Sequence, residues 1–248
     1  MRPLGVIGHL SRDVVAGGPP RIGGGPWHAA RALQLIGADA IVFAKCGDRA
    51  YHRRLAALGS PVSFTLDRET TSFSFSYDER GVRTMAIDAI GEPWRIEDVS
   101  ERRLRPVEWL HVAPLLRGDF DADVLEWLAR GRRLLLDGQG LVRPRRTGPL
   151  VLDGDFDPAL LRHVTALKLS QEEADVVGEL DVPELIVTDG MRGATVNGEH
   201  VPAHVVSADP TGAGDAFAVA YAASRAAGQA PVSAARRATA LVAALLSR

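Results

Sequence analysis

Short apolar runs alternate with longer segments of helical periodicity along most of the chain. The runs predict buried strands at Leu4–Ile7, Ala40–Phe43, Trp109–Val112, Leu134–Leu136, Ala166–Leu169 and Leu185–Thr188. The segments between them predict helices at Trp27–Ile36, Tyr51–Leu58, Ala122–Ala129, Pro158–His163 and Gln171–Val177. This alternation is typical of parallel strands joined by helices. It predicts an α/β fold, a doubly wound and mostly parallel sheet with helices on both faces, with ligands bound at the C-terminal strand ends.

One segment interrupts this alternation. Residues Thr71–Tyr77 read TSFSFSY, which places aromatic side chains on one side of an extended chain and serines on the other. That period of two is typical of a half-buried strand. The turn residues Asp78–Gly81 lead into Val82–Ile87, so we expect an antiparallel hairpin. Its aromatic face covers either a ligand or only the core.

A second hairpin is expected near the C-terminus. It runs from Ala194–Val196 through Asn197 and Gly198 to His200–Val206. The sequence contains no linker long enough to separate two independent domains. We therefore predict one domain over residues 1–248, with the hairpin at 71–87 as a small β lid.

Composition excludes several classes of protein. The 248 residues have a formal net charge of -2, which gives no general attraction to nucleic acid or to an anionic membrane. The single cysteine, Cys46, excludes an intrachain disulfide and favours a reducing compartment. We find no signal-peptide pattern and no apolar stretch of the roughly 20 residues that a membrane span needs. A cytoplasmic protein without a nucleic-acid or membrane partner is expected.

A glycine-rich loop, SADPTGAGDAF at Ser207–Phe217, leads into the helical segment Ala216–Ala227. Glycines allow close backbone approach, and the first amides of a helix lack internal acceptors and carry partial positive charge. The loop therefore predicts an anion site. Asp215 lies in the first helical turn, where the helix dipole favours a carboxylate that can accept a hydroxyl proton beside a bound phosphoryl group. The alternative is that Asp215 only caps the helix.

The run DPTGAGD, Asp209–Asp215, resembles the C-terminal signature of the ribokinase-like, or PfkB, family of carbohydrate and nucleoside kinases. The resemblance implies that Asp215 is the catalytic base. It implies ATP and Mg²⁺ as cofactors, and it extends over essentially the whole chain. By the same resemblance, the anion-hole amides belong to Gly212, Ala213 and Gly214, and the phosphates or their metal lie near Asp209 and Thr211.

Two N-terminal segments resemble the substrate side of the family. Val6–Gly8 followed by Asp13 resembles the first strand and its substrate-binding aspartate. The run GGGPWHAA resembles the GGxxxN segment, which implies that Gly23, Gly24 and His28 contact substrate hydroxyls. His28 replaces the asparagine of that motif, exchanging an amide for an imidazole that can donate, accept or titrate.

Two further segments resemble the nucleotide side. Residues 187–194, VTDGMRGA, resemble the TxGxxG loop, which implies nucleotide contacts from Thr188, Gly190, Arg192 and Gly193, with a solvated Arg192 as the alternative. The run KLSQEE at Lys168–Glu173 occupies the place of the NxxE motif, which implies that Glu173 organises magnesium through water. Ser170 replaces the asparagine of that motif and has a shorter reach. Ala238, Ala240 and Val242 are candidates to border the base.

These residues predict an ATP-dependent kinase that phosphorylates an alcohol of a small sugar or polyol. The run GHLSRD near the N-terminus is similar to that of inositol kinases, so an inositol is a candidate acceptor. One alternative is a nucleoside kinase in which Trp27 or Phe75 stacks on the base. Another is a non-catalytic sensor of sugar or nucleotide, which Ser170 and His28 motivate. A homodimer is a possible assembly.

Overall fold

The computed structural model describes residues 2–78, 83–204 and 211–247. The strands, in chain order, are β1 (Leu4–His9), β2 (Ser11–Val15), β3 (Arg21–Gly23), β4 (Ala40–Cys46), β5 (Val62–Leu66), β6 (Ser72–Tyr77), β7 (Arg83–Ala89), β8 (Trp109–Ala113), β9 (Arg133–Asp137), β10 (Gly148–Pro149), β11 (Ala166–Ser170), β12 (Glu184–Thr188), β13 (Ala194–Val196) and β14 (Glu199–Val201). The α-helices are α1 (Gly25–Ile36), α2 (Arg49–Ala56), α3 (Glu101–Leu104), α4 (Ala122–Ala129), α5 (Gln139–Val142), α6 (Gln171–Val177), α7 (Ala213–Ala226) and α8 (Pro231–Leu246). Single 3₁₀ turns lie at Ile96–Asp98, Pro158–Leu161 and Gly190–Arg192.

The main sheet runs in the order β14-β13-β12-β11-β9-β8-β1-β4-β5. The pairs from β12 to β5 are parallel, and β13 and β14 add an antiparallel edge. The chain leaves β1 towards β4 on one side and continues from β8 towards β9 on the other. The strand order therefore reverses beside β1, and the crevice at such a switch point is where open α/β sheets bind ligands.

Helices cover both faces of the main sheet. Helices α1, α7 and α8 share one hydrophobic cluster with the side chains of Leu4, Val6 and Trp109. Helix α4 packs on the opposite face, against Ile7 and Leu110. Alternate strand residues point to opposite faces, so apolar runs without polar alternation are those expected of strands buried on both sides. The predicted doubly wound α/β fold is confirmed.

A second sheet, in the order β10-β7-β6-β2-β3, stands beside the main one. The expected hairpin is present, because β6 and β7 pair antiparallel. Sequence analysis missed β2 and β3, which pair with each other, while β2 also lies parallel to β6. The second sheet is thus wider than the hairpin predicted at 71–87.

Two predicted elements end earlier than expected. The strand predicted over His200–Val206 stops at Val201 in β14, because Pro202 has no N–H to donate to a strand partner. Residues 205 and 206 of that prediction lie outside the described residues. The helix predicted at Pro158–His163 is a single 3₁₀ turn over Pro158–Leu161. Among the helices that the structure describes, none combines the length and apolar character of a membrane span.

Candidate active site

The N-terminus of α7 forms the centre of the candidate site. Gly212 precedes the helix with a φ of 79°, a left-handed conformation that favours glycine. A Cβ on Gly212 would also lie 2.3 Å from Nδ1 of His28, so the loop and α1 touch here. The Ala216 amide donates to the Gly212 carbonyl at 2.9 Å, as the first turn of α7 closes. Earlier amides of a helix have no internal acceptor, so Ala213 and Gly214 can present theirs to an anion.

Asp215 lies in the first turn of α7 and faces the point where α1 meets β8. A Cβ on Gly25 of α1 would lie 3.1 Å from Asp215 Oδ1 and 2.3 Å from Cβ of Ala113. Only glycine at residue 25 lets the helix approach both groups so closely. Oδ1 of Asp215 is fully buried and has no hydrogen-bond partner among the described residues, whereas the side chain as a whole is only half-buried.

A buried ion pair supports the start of α7 from the sheet. Lys168 Nζ in β11 donates to Asp137 Oδ2 at the end of β9 over 3.1 Å, and both side chains are nearly inaccessible. Burial alone would raise the pKa of Asp137, but the Lys168 ammonium, through its charge and its hydrogen bond, outweighs that effect and holds the pKa below its usual value. A Cβ on Gly214 would lie 3.0 Å from Lys168 Nζ. The ammonium therefore adds positive charge directly beside the glycine-rich turn.

A cavity of about 530 Å³, the Asp13 cavity, opens on one side of this turn. The Ser11 hydroxyl donates to Asp13 Oδ1 at 2.7 Å, and burial raises the pKa of Asp13 in spite of that bond. A Cβ on Gly23 would overlap the Asp13 carboxylate, so this glycine makes room for it. The cavity is lined by Asp13, Ile22, Trp27, His28, Phe75, Tyr77, Thr211 and Gly212, with Arg21, Arg31 and Arg54 among the others.

A second cavity of about 550 Å³, the Phe217 cavity, opens on the other side of the turn. It is mainly apolar and lies between the end of β12, α7 and α8. The Thr188 hydroxyl at its border donates to the Leu169 carbonyl at 3.1 Å. The lining residues include Thr188, Gly190, Met191, Gly193, Ala213, Gly214, Phe217, Thr239, Val242, Ala243 and Leu246. Of the three candidate base-bordering residues in α8, only Val242 is among them, because Ala238 is buried in the core and Ala240 faces solvent.

The structure places the predicted substrate residues together. Asp13 and His28 line the Asp13 cavity, and Gly23 packs on Asp13. Gly24 has a φ of 89°, and a Cβ there would lie 2.3 Å from the His9 carbonyl oxygen, so it shapes the turn before α1. Thr211 lies on the Asp13 cavity and not on the nucleotide side where we expected it.

Two predicted nucleotide-side residues have other partners. Arg192 is exposed and forms an ion pair with Asp189, with Nη2 to Oδ1 at 2.7 Å, and it does not line the Phe217 cavity. In this arrangement Asp189 holds the Arg192 guanidinium in solvent, which matches the alternative of a solvated Arg192, and the nucleotide contact stays a prediction. Asp209 lies outside the described residues.

Glu173, which was expected to organise magnesium through water, forms part of a helix cap. Its Oε2 accepts from the Ser170 amide at 2.8 Å, while the Ser170 hydroxyl accepts from the Glu173 amide at 3.2 Å. This reciprocal pair is a capping box at the start of α6. Ser170 thus caps α6 through its side chain, and the pair engages one of the two Glu173 carboxylate oxygens.

Comparison with known proteins found a family match and similar solved structures. Residues 157–248 match the pfkB family carbohydrate kinase family. Over 99% of its length the chain superposes on 95% of a solved structure described as a pyrophosphate-dependent kinase in the ribokinase family complexed with a pyrophosphate analog and myo-inositol, with a TM-score of 0.83 and 24% identity. A ribokinase from Arabidopsis thaliana complexed with ribose and ATP matches at a TM-score of 0.73 and 18% identity, with 100% of this chain and 93% of that chain covered.

The chain has the ribokinase-like fold and carries a pfkB family segment. The resemblance found in sequence analysis is thereby confirmed. The ribokinase-like chain is also 29% identical over 202 residues to an inositol 3-kinase from Zea mays, which covers 74% of this chain. It spans 52% of the length of that maize protein.

Sequence analysis of this ribokinase-like chain missed several polar residues at the site. Lys168 and His111 lie inside apolar strands, and Asp137 is the last residue of β9. Arg143, which follows α5, is near enough to Asp13 to favour its charged form. One sequence signal could have found both Lys168 and His111. Each is a polar residue within a run that otherwise has the apolar pattern of a fully buried strand.

Proposed function

We propose that the protein is a kinase that transfers the terminal phosphoryl group of a donor to a hydroxyl of a small sugar or polyol. One observation carries this proposal. The Asp13 cavity and the Phe217 cavity meet at the start of α7, with Thr211 and Gly212 on one and Ala213 and Gly214 on the other. Asp215 follows in the same helical turn. An acceptor and a donor bound in the two cavities would bring the transferring group to the α7 amides.

The proposed reaction uses Asp215 as the base. Its carboxylate accepts the proton of the attacking hydroxyl while the new phosphorus–oxygen bond forms. The bond between the terminal phosphorus and the bridging oxygen of the donor breaks, and that oxygen leaves with the remaining part of the donor. The amides of Gly212, Ala213 and Gly214 and the Lys168 ammonium stabilise the charge on the transferring group.

The acceptor is proposed to be a polyol, with an inositol as the first candidate. The half-buried Asp13 carboxylate can accept hydrogen bonds from two hydroxyls, and the His28 imidazole adjoins the same cavity. The maize relative is described as an inositol 3-kinase, and one structural neighbour as bound to myo-inositol. Both descriptions support a cyclic polyol for this chain.

The donor is proposed to be ATP with Mg²⁺. Pyrophosphate, which one structural neighbour is described as using, requires only polar contacts. The Phe217 cavity offers instead an apolar space beside Gly214, bordered by Phe217, Val242 and Leu246, which suits a purine base. The free carboxylate oxygen of Glu173 would hold Mg²⁺ through water, and Asp209 is the other expected acid. The ion would supply positive charge that offsets the charge of the donor phosphates.

A nucleoside acceptor is the second candidate. Trp27, Phe75 and Tyr77 all line the Asp13 cavity, and aromatic rings can stack on a base. Phe73 lies on the same face of β6 as Phe75 and Tyr77, but it packs on Ile87 and Leu116 in a small core. The aromatic face of β6 therefore covers both the core and the Asp13 cavity. The part that faces the cavity is the structural basis for the nucleoside hypothesis.

The first experiment measures phosphoryl transfer across a panel of inositols, sugars and nucleosides, with ATP or pyrophosphate as donor and Mg²⁺ present. Asp215→Asn is assayed beside the wild type, with exposed Asp155→Asn as the matched control. We expect turnover on a polyol that Asp215→Asn lowers by about two to four orders of magnitude while ATP binding persists. A mutant with near-wild-type turnover would refute the base assignment. Measurable ATP binding without turnover on any compound would favour a sensor.

A second variant separates the two donors. Ala243→Phe places a ring in the Phe217 cavity without changing a polar group. If ATP is the donor, its KM should rise by about tenfold or more, since loss of the base pocket removes well over 1.4 kcal/mol of binding. Any activity with pyrophosphate should change little. An unchanged KM for ATP would contradict the placement of the base.

A further inference from the structure

His111 is a buried imidazole that the proposed mechanism does not use. It lies in the middle of β8, on the same face of the strand as Trp109 and Ala113, towards α7. Its exposed fraction is 0%, and neither ring nitrogen has a hydrogen-bond partner among the residues that the structure describes. A buried polar group without a partner is costly, so a fully buried histidine in this state points to a missing contact.

The missing contact can be located from the surrounding atoms. One ring nitrogen of His111, a carboxylate oxygen of Asp137 and a carboxylate oxygen of Asp215 lie within 4.8 Å of one another. No direct hydrogen bond joins His111 to either carboxylate in the described structure. Separations of this size between polar atoms are those that one bridging water spans. Oδ1 of Asp215 is itself buried and unpartnered, and it lies beside Gly25, which packs on Ala113 of the same strand face as His111, so a second orphaned group is near this point.

A water suits this point better than a metal ion. Histidine with two carboxylates is a feasible ligand set for a divalent cation. Asp137, however, already binds the Lys168 ammonium at 3.1 Å, and a cation placed between the same groups would face that buried positive charge. A neutral water can accept from an imidazole N–H and donate to both carboxylates without adding charge.

We propose that His111 is a positioning residue for Asp215, linked to Asp215 Oδ1 through one shared water that Asp137 also binds. The inference rests on the proposed kinase activity, because it assigns His111 a part in holding the base. With Oδ1 held from the sheet side, the rest of the carboxylate stays turned towards the acceptor. His111 acts only through Asp215 and touches neither substrate.

The charges around His111 are consistent with a neutral ring. Burial lowers the pKa of His111, although Asp137 and Asp215 oppose that effect and Lys168 adds to it. The groups that face this point are Asp137 from β9, Lys168 from β11 and Asp215 from α7, with Asp13 of β2 further out beside Asp215. A neutral imidazole keeps one N–H, which is the donor that the water-linked arrangement uses.

The first test does not depend on activity. The seven histidines are labelled with ¹⁵N, and the His111 ring signals are identified by their loss in His111→Gln. We expect a neutral ring in one tautomer at neutral pH, because burial lowers the pKa of His111, with a shift of its N–H signal in Asp215→Asn. The exposed Asp155→Asn serves as the control and should leave the signal in place. Unchanged His111 signals in Asp215→Asn would overturn the proposal, whether or not a substrate has been found.

Kinetics and metal binding provide the second test. His111→Phe should lower kcat by about 10- to 100-fold with the KM of both substrates within about threefold, and His111→Gln, which retains a donor, should restore part of the loss. The acidic limb of the pH–rate profile should move in His111→Phe and stay in the exposed control His163→Gln. A wild-type kcat in His111→Phe would refute the proposed role of His111 in positioning Asp215. A large shift of one His111 ring nitrogen on adding one equivalent of diamagnetic Zn²⁺ without nucleotide, as direct coordination produces, would replace the water with a cation site and would also overturn the proposal.

Discussion

Variants of the Lys168–Asp137 ion pair should separate its contribution to stability from its contribution to turnover. Both side chains are almost inaccessible, at 6% and 0% exposure, and their charged atoms lie 3.1 Å apart. At that distance and an effective dielectric constant of about 20, the attraction is about 5 kcal/mol, which is offset by the cost of removing both charges from water. Lys168→Met removes the attraction but leaves Asp137 charged and buried. We expect the free energy of unfolding to fall by about 3–5 kcal/mol.

The double variant Lys168→Met with Asp137→Asn removes the orphaned charge. Its stability in urea should recover most of the loss, because a buried ion pair contributes little relative to a neutral replacement. Turnover should not recover, because the ammonium beside Gly214 is still missing from the anion site. Equilibrium urea unfolding and phosphoryl-transfer assays on the same preparations measure the two effects. A loss below about 1 kcal/mol in Lys168→Met, or wild-type turnover in the double variant, would refute this reasoning.

Three further predictions concern the site and its frame. Gly212→Ala forces a side chain into a φ of 79° and against His28, so we expect turnover to fall about tenfold or more and stability by about 1–2 kcal/mol, measured by kinetics and urea unfolding. Burial raises the pKa of Asp13. On acidification this carboxylate therefore loses its charge at a higher pH than a free aspartate does. The acceptor KM should therefore rise on acidification above about pH 4, and this dependence should vanish in Asp13→Asn. Glu184→Ala deprives the Tyr221 hydroxyl of its 2.5 Å partner far from the glycine-rich turn, so unfolding should be easier by about 2–4 kcal/mol with kcat unchanged.

Local patterning predicted most of the main sheet. Strands such as β1 and β8 read as unbroken apolar runs because both of their faces are covered by helices. The short strands β2 and β3 were missed. They contain Asp13 and Arg21 and follow no clean alternation, since their place in the second sheet depends on pairing with each other and with β6. Pairing between distant segments is not encoded in the periodicity of either segment.

The sequence by itself determined the glycine-rich loop, the start of α7 and the place of Asp215 in its first turn. These are local properties, since glycines, helix formers and unpaired amides act within a few residues. Only the tertiary structure decided what surrounds that carboxylate. His111, Asp137 and Lys168 come from three neighbouring parallel strands and meet because the register between those strands brings their side chains together on one face of the sheet. Whether a polar residue in an apolar run finds a partner depends on its neighbours across the sheet, and that is a property of the fold.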